Sequence, residues 1–164
     1  MKKLHLIRHA KSSWGDSSLA DIDRPLNSRG IRSCQTMAPE IIKAGCHFEH
    51  TYCSPARRAQ STIEQISQHI TQQAIHWQTD ENLYTFSSRA LMTWCHDLDD
   101  SISEVILIGH NPAITDLCND VGDQYIDNIP TCSYVQLAFD QGSWKDLSTD
   151  SAELLSFLTP KMFI

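Results

Sequence analysis

Val105 to Ile108 is a run of four apolar residues with no polar residue among them, and a Gly-His pair follows directly. A strand with one wet face alternates apolar and polar, so a run that does not alternate is expected to be covered on both faces. Ile114, Leu117, Cys118 and Val121 then recur at helical spacing, which places a helix immediately after this buried strand. The same strand-then-helix order repeats along the chain. Leu4 to Ile7 reads as a strand, and Ser28 to Ala44 as a helix with Ile31, Cys34, Ala38, Ile41 and Ile42 on one face. Gly45 stands where a helix C-terminus favours it, and Pro39 is expected to kink or shorten the helix. His50 to Cys53 and Ala56 to Ile70 read as the next strand and helix. Ala74 to Trp77 reads as a third strand, Leu91 to Leu98 marks a further amphipathic helix, and Ser133 to Phe139 alternates as a strand. Strands interleaved with helices predict a three-layer α/β/α sandwich with a mostly parallel central sheet. In such sheets ligands sit beyond the carboxyl ends of the strands.

The chain has 164 residues, suited to one domain with a sizeable core, and residues 1–164 are read as that domain. Its formal net charge of −7 argues against a nucleic-acid or anionic-membrane partner, although a small positive pocket can exist within an acidic surface. No segment approaches the ~20 apolar residues of a membrane span. The first apolar stretch is interrupted by Arg8 and His9 and does not form the hydrophobic region of a signal peptide. The six cysteines, Cys34, Cys46, Cys53, Cys95, Cys118 and Cys132, have no framework spacing, so reduced thiols and a cytoplasmic setting are expected.

Three of the expected strands end alike. The first ends in Arg8-His9. The second ends in SPARRAQST, with Ser54 as helix N-cap and Pro55 at the first helical position. The Val105–Ile108 strand ends in GHNP, with Asn111 and Pro112 in the same two roles behind His110. Two helix N-termini, with free N–H groups and partial positive charge, would therefore face the edge where Arg8 and His9 emerge. With the guanidinium groups of Arg8 and Arg58 added, that edge becomes a phosphate-sized anion site.

RHAKSSW, DIDRPLNSRG, SPARRAQST and LIGHNP, in this order, resemble the histidine phosphatase superfamily, whose fold is phosphoglycerate mutase-like. Within it, the small phosphohistidine phosphatases of the SixA type are the nearest match. The likeness lies in the first 62 residues and in Glu104 to Val121. It implies that His9 is a nucleophile that becomes transiently phosphorylated, while Arg8, Arg58 and His110 hold the phosphoryl oxygens. The frame, four residues after Ser54 and before Ala59, selects Arg58 over the adjacent Arg57, which is expected to be solvated. No cofactor or metal is required, because two arginines and a second histidine can offset the charge on the phosphoryl oxygens. Lys11, Ser12, Ser13 and Asp23 are placed at the pocket rim, and Asp23 with Arg24 is expected to shape the loop.

Many relatives carry a glutamate two residues after a leucine in the segment following the third strand, where it protonates the leaving group. Here that position, after Leu83, is Thr85; Glu81, Asp80 and, farther off, Asp16 are the nearby carboxylates. The missing acid fits the phosphohistidine phosphatases better than a mutase or sugar phosphatase. The expected substrate is phosphohistidine on a protein, such as a phosphorelay or phosphotransfer domain, handled by a monomeric enzyme. A small-molecule phosphomonoesterase is the alternative. Two readings from other classes are a non-catalytic phosphate-recognition module and a zinc site. The latter would use Cys46, His47, His50 and Cys53, although one extended segment rarely wraps four ligands tetrahedrally.

Overall fold

The computed structural model describes residues 1–164. Six strands form one sheet: β1 (Lys2–Arg8), β2 (Thr51–Cys53), β3 (Trp77–Thr79), β4 (Glu104–Gly109), β5 (Tyr134–Phe139) and β6 (Glu153–Leu158). The order across the sheet is β3-β2-β4-β1-β5-β6. β3, β2, β4 and β1 run parallel, and β5 is antiparallel to both β1 and β6. Four helices complete the layers: α1 (Ser28–Lys43), α2 (Arg57–Gln68), α3 (Ser88–His96) and α4 (Ala113–Val121). The expected α/β/α sandwich with a mostly parallel sheet is the fold observed.

The central strands explain why the apolar runs lack alternation. Leu4 and Leu6 of β1, with Val105 and Leu107 of β4, face Leu91, Cys95, Leu117 and Val121 of α3 and α4. Ile7, Ile106 and Ile108 face the opposite way, onto Cys34, Ile41, Ile63 and Ile66 of α1 and α2. Each strand is thus buried on both faces, and every apolar side chain adds roughly 1.5–3 kcal/mol of burial free energy.

Several local expectations shift. Pro39 lies inside an uninterrupted α1 and does not shorten it. Proline forgoes one backbone hydrogen bond, and the buried stripe of Cys34, Met37, Ala38 and Ile41 holds the helix across it. Gly45 does close the helix: its φ is +100°, its N–H donates to Ile42 and that of Cys46 to Ile41, a Schellman ending. The third strand is Trp77–Thr79 rather than Ala74–Trp77, because its register begins with Trp77 opposite Thr51. β6 has no counterpart in the sequence reading. It is an edge strand whose side chains are half-buried or exposed, and Glu-Leu-Leu-Ser-Phe-Leu has no clean period. No helix is long and apolar enough to cross a membrane.

Candidate active site

β1, β2 and β4 end side by side, with Arg8 in register with Gly109 and Cys53 with Ile108. The residues following each strand therefore meet at one sheet edge, which is what unites Arg8-His9, Ser54 and His110. The helix starts differ from expectation. α2 begins at Arg57 with Ala56 as its N-cap, so Ser54 and Pro55 precede the helix. α4 begins at Ala113 rather than Pro112, although the Asn111 side chain still accepts the Thr115 N–H at 3.1 Å.

His9 is buried beside a cavity of about 290 Å³ whose lining includes Arg8, Arg58 and Lys11. Its Nδ1 lies 2.8 Å from the Ala10 carbonyl. A carbonyl only accepts, so Nδ1 carries the proton and Nε2 keeps its lone pair. Arg58 Nε–H donates to that Nε2 across 3.4 Å. Burial, then the positive charges of Arg58, Arg8 and Arg24, lower the His9 pKa to about 4, against a stabilising hydrogen bond to Ala10. His9 is thus a neutral imidazole at pH 7 with its free nitrogen toward the cationic pocket.

His110 packs against His9 with ring centroids 5.2 Å apart. Burial, followed by the neighbouring charges of His9 and Arg58, lowers its pKa to about 3. Its Nε2 lies 2.7 Å from Ser54 Oγ, and Ser54 Oγ accepts the Ala56 N–H at 3.2 Å. Ser54 O–H can then donate to Nε2, which puts the imidazole proton on Nδ1. That Nδ1 and Arg8 Nε are both buried with no hydrogen-bond partner in the protein. A buried donor left unpaired costs about 1–3 kcal/mol, so these two nitrogens suit an anionic oxygen. Arg8 is steadied by Nη1 donating to the Ile129 carbonyl at 2.7 Å.

Arg58 is only 3% exposed. It reaches Asp21 twice, Nη1 to the carbonyl at 2.7 Å and Nη2 to Oδ2 at 2.9 Å. Asp21 also accepts Arg24 Nη1 at 2.9 Å and the Tyr84 hydroxyl at 2.5 Å. Partial burial alone would raise the Asp21 pKa, but hydrogen bonds from Tyr84, Arg58 and Arg24 outweigh it and hold the carboxyl well below the usual range. Asp21 is a permanent anion that orients Arg58; it has no proton to give at neutral pH.

The rim expectations divide. Lys11 and Ser12 line the cavity, and Ser12 Oγ accepts a hydrogen bond from Arg24. Asp23 is exposed and outside the cavity; Asp21 stands there in its place. Both belong to one 3₁₀ turn, Asp21–Asp23, in which residues two apart point in different directions. Arg24 shapes the loop as expected, donating to the Ser13 carbonyl and stacking its guanidinium 3.3 Å from the centroid of the Trp14 ring. Arg57 is exposed.

The residues around Thr85 supply no acid. Tyr84 and Phe86 instead pack their rings 5.4 and 5.5 Å from that of His110 and form an aromatic wall. Asp80 accepts Trp94 Nε1 and the Asn82 N–H, Glu81 lines a different groove, and Asp16 is bonded to Ser18 on an exposed loop. The zinc arrangement is not assembled either. Cys46 and Cys53 are buried in the core while His47 and His50 are exposed, and no three His, Cys, Asp or Glu side chains converge on a metal-sized point.

Residues 4–86 match the sequence model of the histidine phosphatase superfamily (branch 1). An uncharacterized protein of Mycobacterium leprae is 27% identical over 94% of this chain and all of its own length. Among solved structures, the protein histidine phosphatase SixA complexed with tungstate superposes with a TM-score of 0.80 at 16% identity, over 99% of both chains. A Nakamurella multipartitia chain, provisionally called a SixA phosphohistidine phosphatase, gives a TM-score of 0.80 at 21% identity, over 97% of this chain and 96% of its own.

Proposed function

This chain belongs to the histidine phosphatase superfamily, and from that premise we propose that it is a metal-independent phosphohistidine phosphatase of the SixA type. His9 Nε2 attacks phosphorus, and the bond from phosphorus to the substrate imidazole breaks. The distal nitrogen of the substrate ring takes a proton from water, at a pKa close to neutrality for an imidazole, and the ring then departs as neutral imidazole. Water then attacks the phosphorus held on His9, giving inorganic phosphate and restoring the free imidazole. Arg8, Arg58 and His110 Nδ1–H bear on the non-bridging oxygens in both steps, a stabilisation that requires donors aimed in advance at the developing charge.

One observation carries the choice of substrate: the only carboxylate at the cavity, Asp21, is clamped as an anion by Arg58, Arg24 and Tyr84. An alkoxide leaving group profits from a general acid by about 10²–10⁴ in rate. The imidazole of phosphohistidine does without one. Anion binding acts on both substrates alike and does not erase that difference. The six free cysteines suit a cytoplasmic setting, and a phosphorelay or phosphotransfer domain is the class of protein that presents phosphohistidine.

The decisive experiment compares kcat/KM on a phosphohistidine peptide, an aryl phosphate and a sugar phosphate, in that expected order. A brief reaction should leave acid-labile, alkali-stable phosphate on wild type and none on His9→Ala. Sugar phosphate turned over as well as phosphohistidine overturns the substrate assignment, and substantial residual activity in His9→Ala overturns the mechanism.

A further inference from the structure

A groove of about 650 Å³ opens beside the phosphate cavity and shares Lys11 and Thr131 with it. Its walls come from one face of α1, from the loop before β5 and from the 3₁₀ turn Pro160–Phe163. Arg29, Arg32 and Thr36 recur on α1 at helical spacing, and Lys161 lies across from them. The groove has no acidic side chain in its lining.

This is an unusual place for cations on a chain of net charge −7. Seven of the thirteen lysines and arginines line the groove or the phosphate cavity, against one of the twenty acidic side chains, Asp21. The protein has acidic residues to spare, yet none pairs with Lys11, Arg29, Arg32 or Lys161: the ion pairs are His5–Glu104, Arg24–Asp21, Lys43–Glu40 and Arg58–Asp21. Arg29 and Arg32 are neighbours on the helix surface, where like charges cost stability. No acidic side chain of the chain pairs with either arginine, so both remain available to an outside anion.

We propose that the groove receives acidic side chains of the protein that carries the phosphohistidine, placing them while the phosphoryl group enters at His9. The inference rests on the phosphohistidine reading above and adds what lies next to the phosphohistidine. Extent favours a macromolecule over a small phosphate ester. Arg29 to Thr36 spans about 10 Å of helix at 1.5 Å per residue, beyond a cavity that already accommodates the phosphate. Exposed cations of this kind act chiefly by steering and register, so they change KM and salt dependence rather than the chemical step.

The test uses two phosphohistidine peptides of one length, with either glutamates or lysines flanking the phosphohistidine. Wild type should favour the glutamate peptide in KM by about tenfold or more at low salt, and the preference should shrink as salt screens it. The combined Arg29→Glu, Arg32→Glu, Lys161→Glu variant should invert the preference while aryl phosphate turnover stays at the wild-type level. If charge reversal harms folding, the glutamine triple variant at the same positions should bring the two peptides to parity. Equal use of both peptides by wild type, or an unchanged preference in either variant, overturns the groove assignment and leaves the phosphohistidine reading standing. If wild type hydrolyses neither peptide faster than a sugar phosphate, the phosphohistidine reading itself falls and takes the groove with it.

Discussion

Replacing Asp21 with asparagine keeps the size of the side chain and removes the one anion that holds Arg58, Arg24 and Tyr84 together. The carboxylate accepts from all three. Asparagine offers a single acceptor oxygen, so its NH₂ must face at least one guanidinium donor. Breaking a fully buried ion pair costs about 3–5 kcal/mol. Here Arg58 is 3% exposed but the Asp21 side chain is 44% exposed, so solvent screening brings the expected loss down to roughly 2 kcal/mol. For a chain of this size that corresponds to a fall in Tm of about 4–8 °C. Arg58 would keep its bond to the Asp21 carbonyl and lose the restraint at Nη2, and kcat/KM should drop roughly 10- to 100-fold from the misplaced guanidinium. Because the folded pKa of Asp21 is depressed, its contribution is fully present above the unfolded carboxylate value of about 3.9 and is lost as pH falls toward the folded one. The Tm gap between wild type and variant should therefore hold from pH 8 to pH ~5 and narrow in more acid buffer. Calorimetry across that range together with aryl phosphate kinetics checks both. An unchanged Tm at neutral pH, a gap that widens in acid, or wild-type kcat/KM would refute the clamp.

With the His9 pKa lowered to about 4, kcat/KM on an aryl phosphate, which carries no imidazole of its own, should be nearly flat between pH 7.5 and pH ~5.5, since the neutral nucleophile dominates throughout; a loss of activity on acidification through the ordinary histidine value of ~6.5 contradicts that environment. Ser54→Ala should lower kcat about tenfold with little change in KM, by freeing the His110 tautomer, and Ser54→Thr should recover much of it; an alanine variant with wild-type kcat removes Ser54 from that role. At Gly30, an added Cβ would lie 2.2 Å from the Lys11 carbonyl oxygen. Gly30→Ala should therefore lose about 1–3 kcal/mol and depress activity by shifting the loop after His9, as thermal melts and kinetics will show.

Some of the site is local enough to read from residues alone. Arg8 and His9 follow an apolar run, and His110 follows another; a strand end next to a helix start announces a sheet edge without any tertiary information. Arg58 is legible in the first turn of α2. Asp21 is different. It sits 37 residues from Arg58 and 63 from Tyr84, and nothing within DIDRPL separates it from Asp23 until the 3₁₀ turn sends their side chains different ways. Ser54 reads locally as a cap, and only the return of the chain 56 residues later puts His110 against its hydroxyl.

The layers, the parallel centre of the sheet and the edge at which the chemistry gathers are thus written in local residue patterns, because hydrophobic periodicity and strand-end residues act over a few positions. The partners of each functional side chain come from long-range folding: the Asp21 clamp, the Ser54–His110 bond, the aromatic wall of Tyr84 and Phe86, and the basic groove along α1. Long-range folding also decided the edge strand β6, whose pairing with β5 replaces a periodicity its own residues lack. These features depend on which distant segments the assembled sheet brings within hydrogen-bonding distance, and no local pattern encodes that assembly.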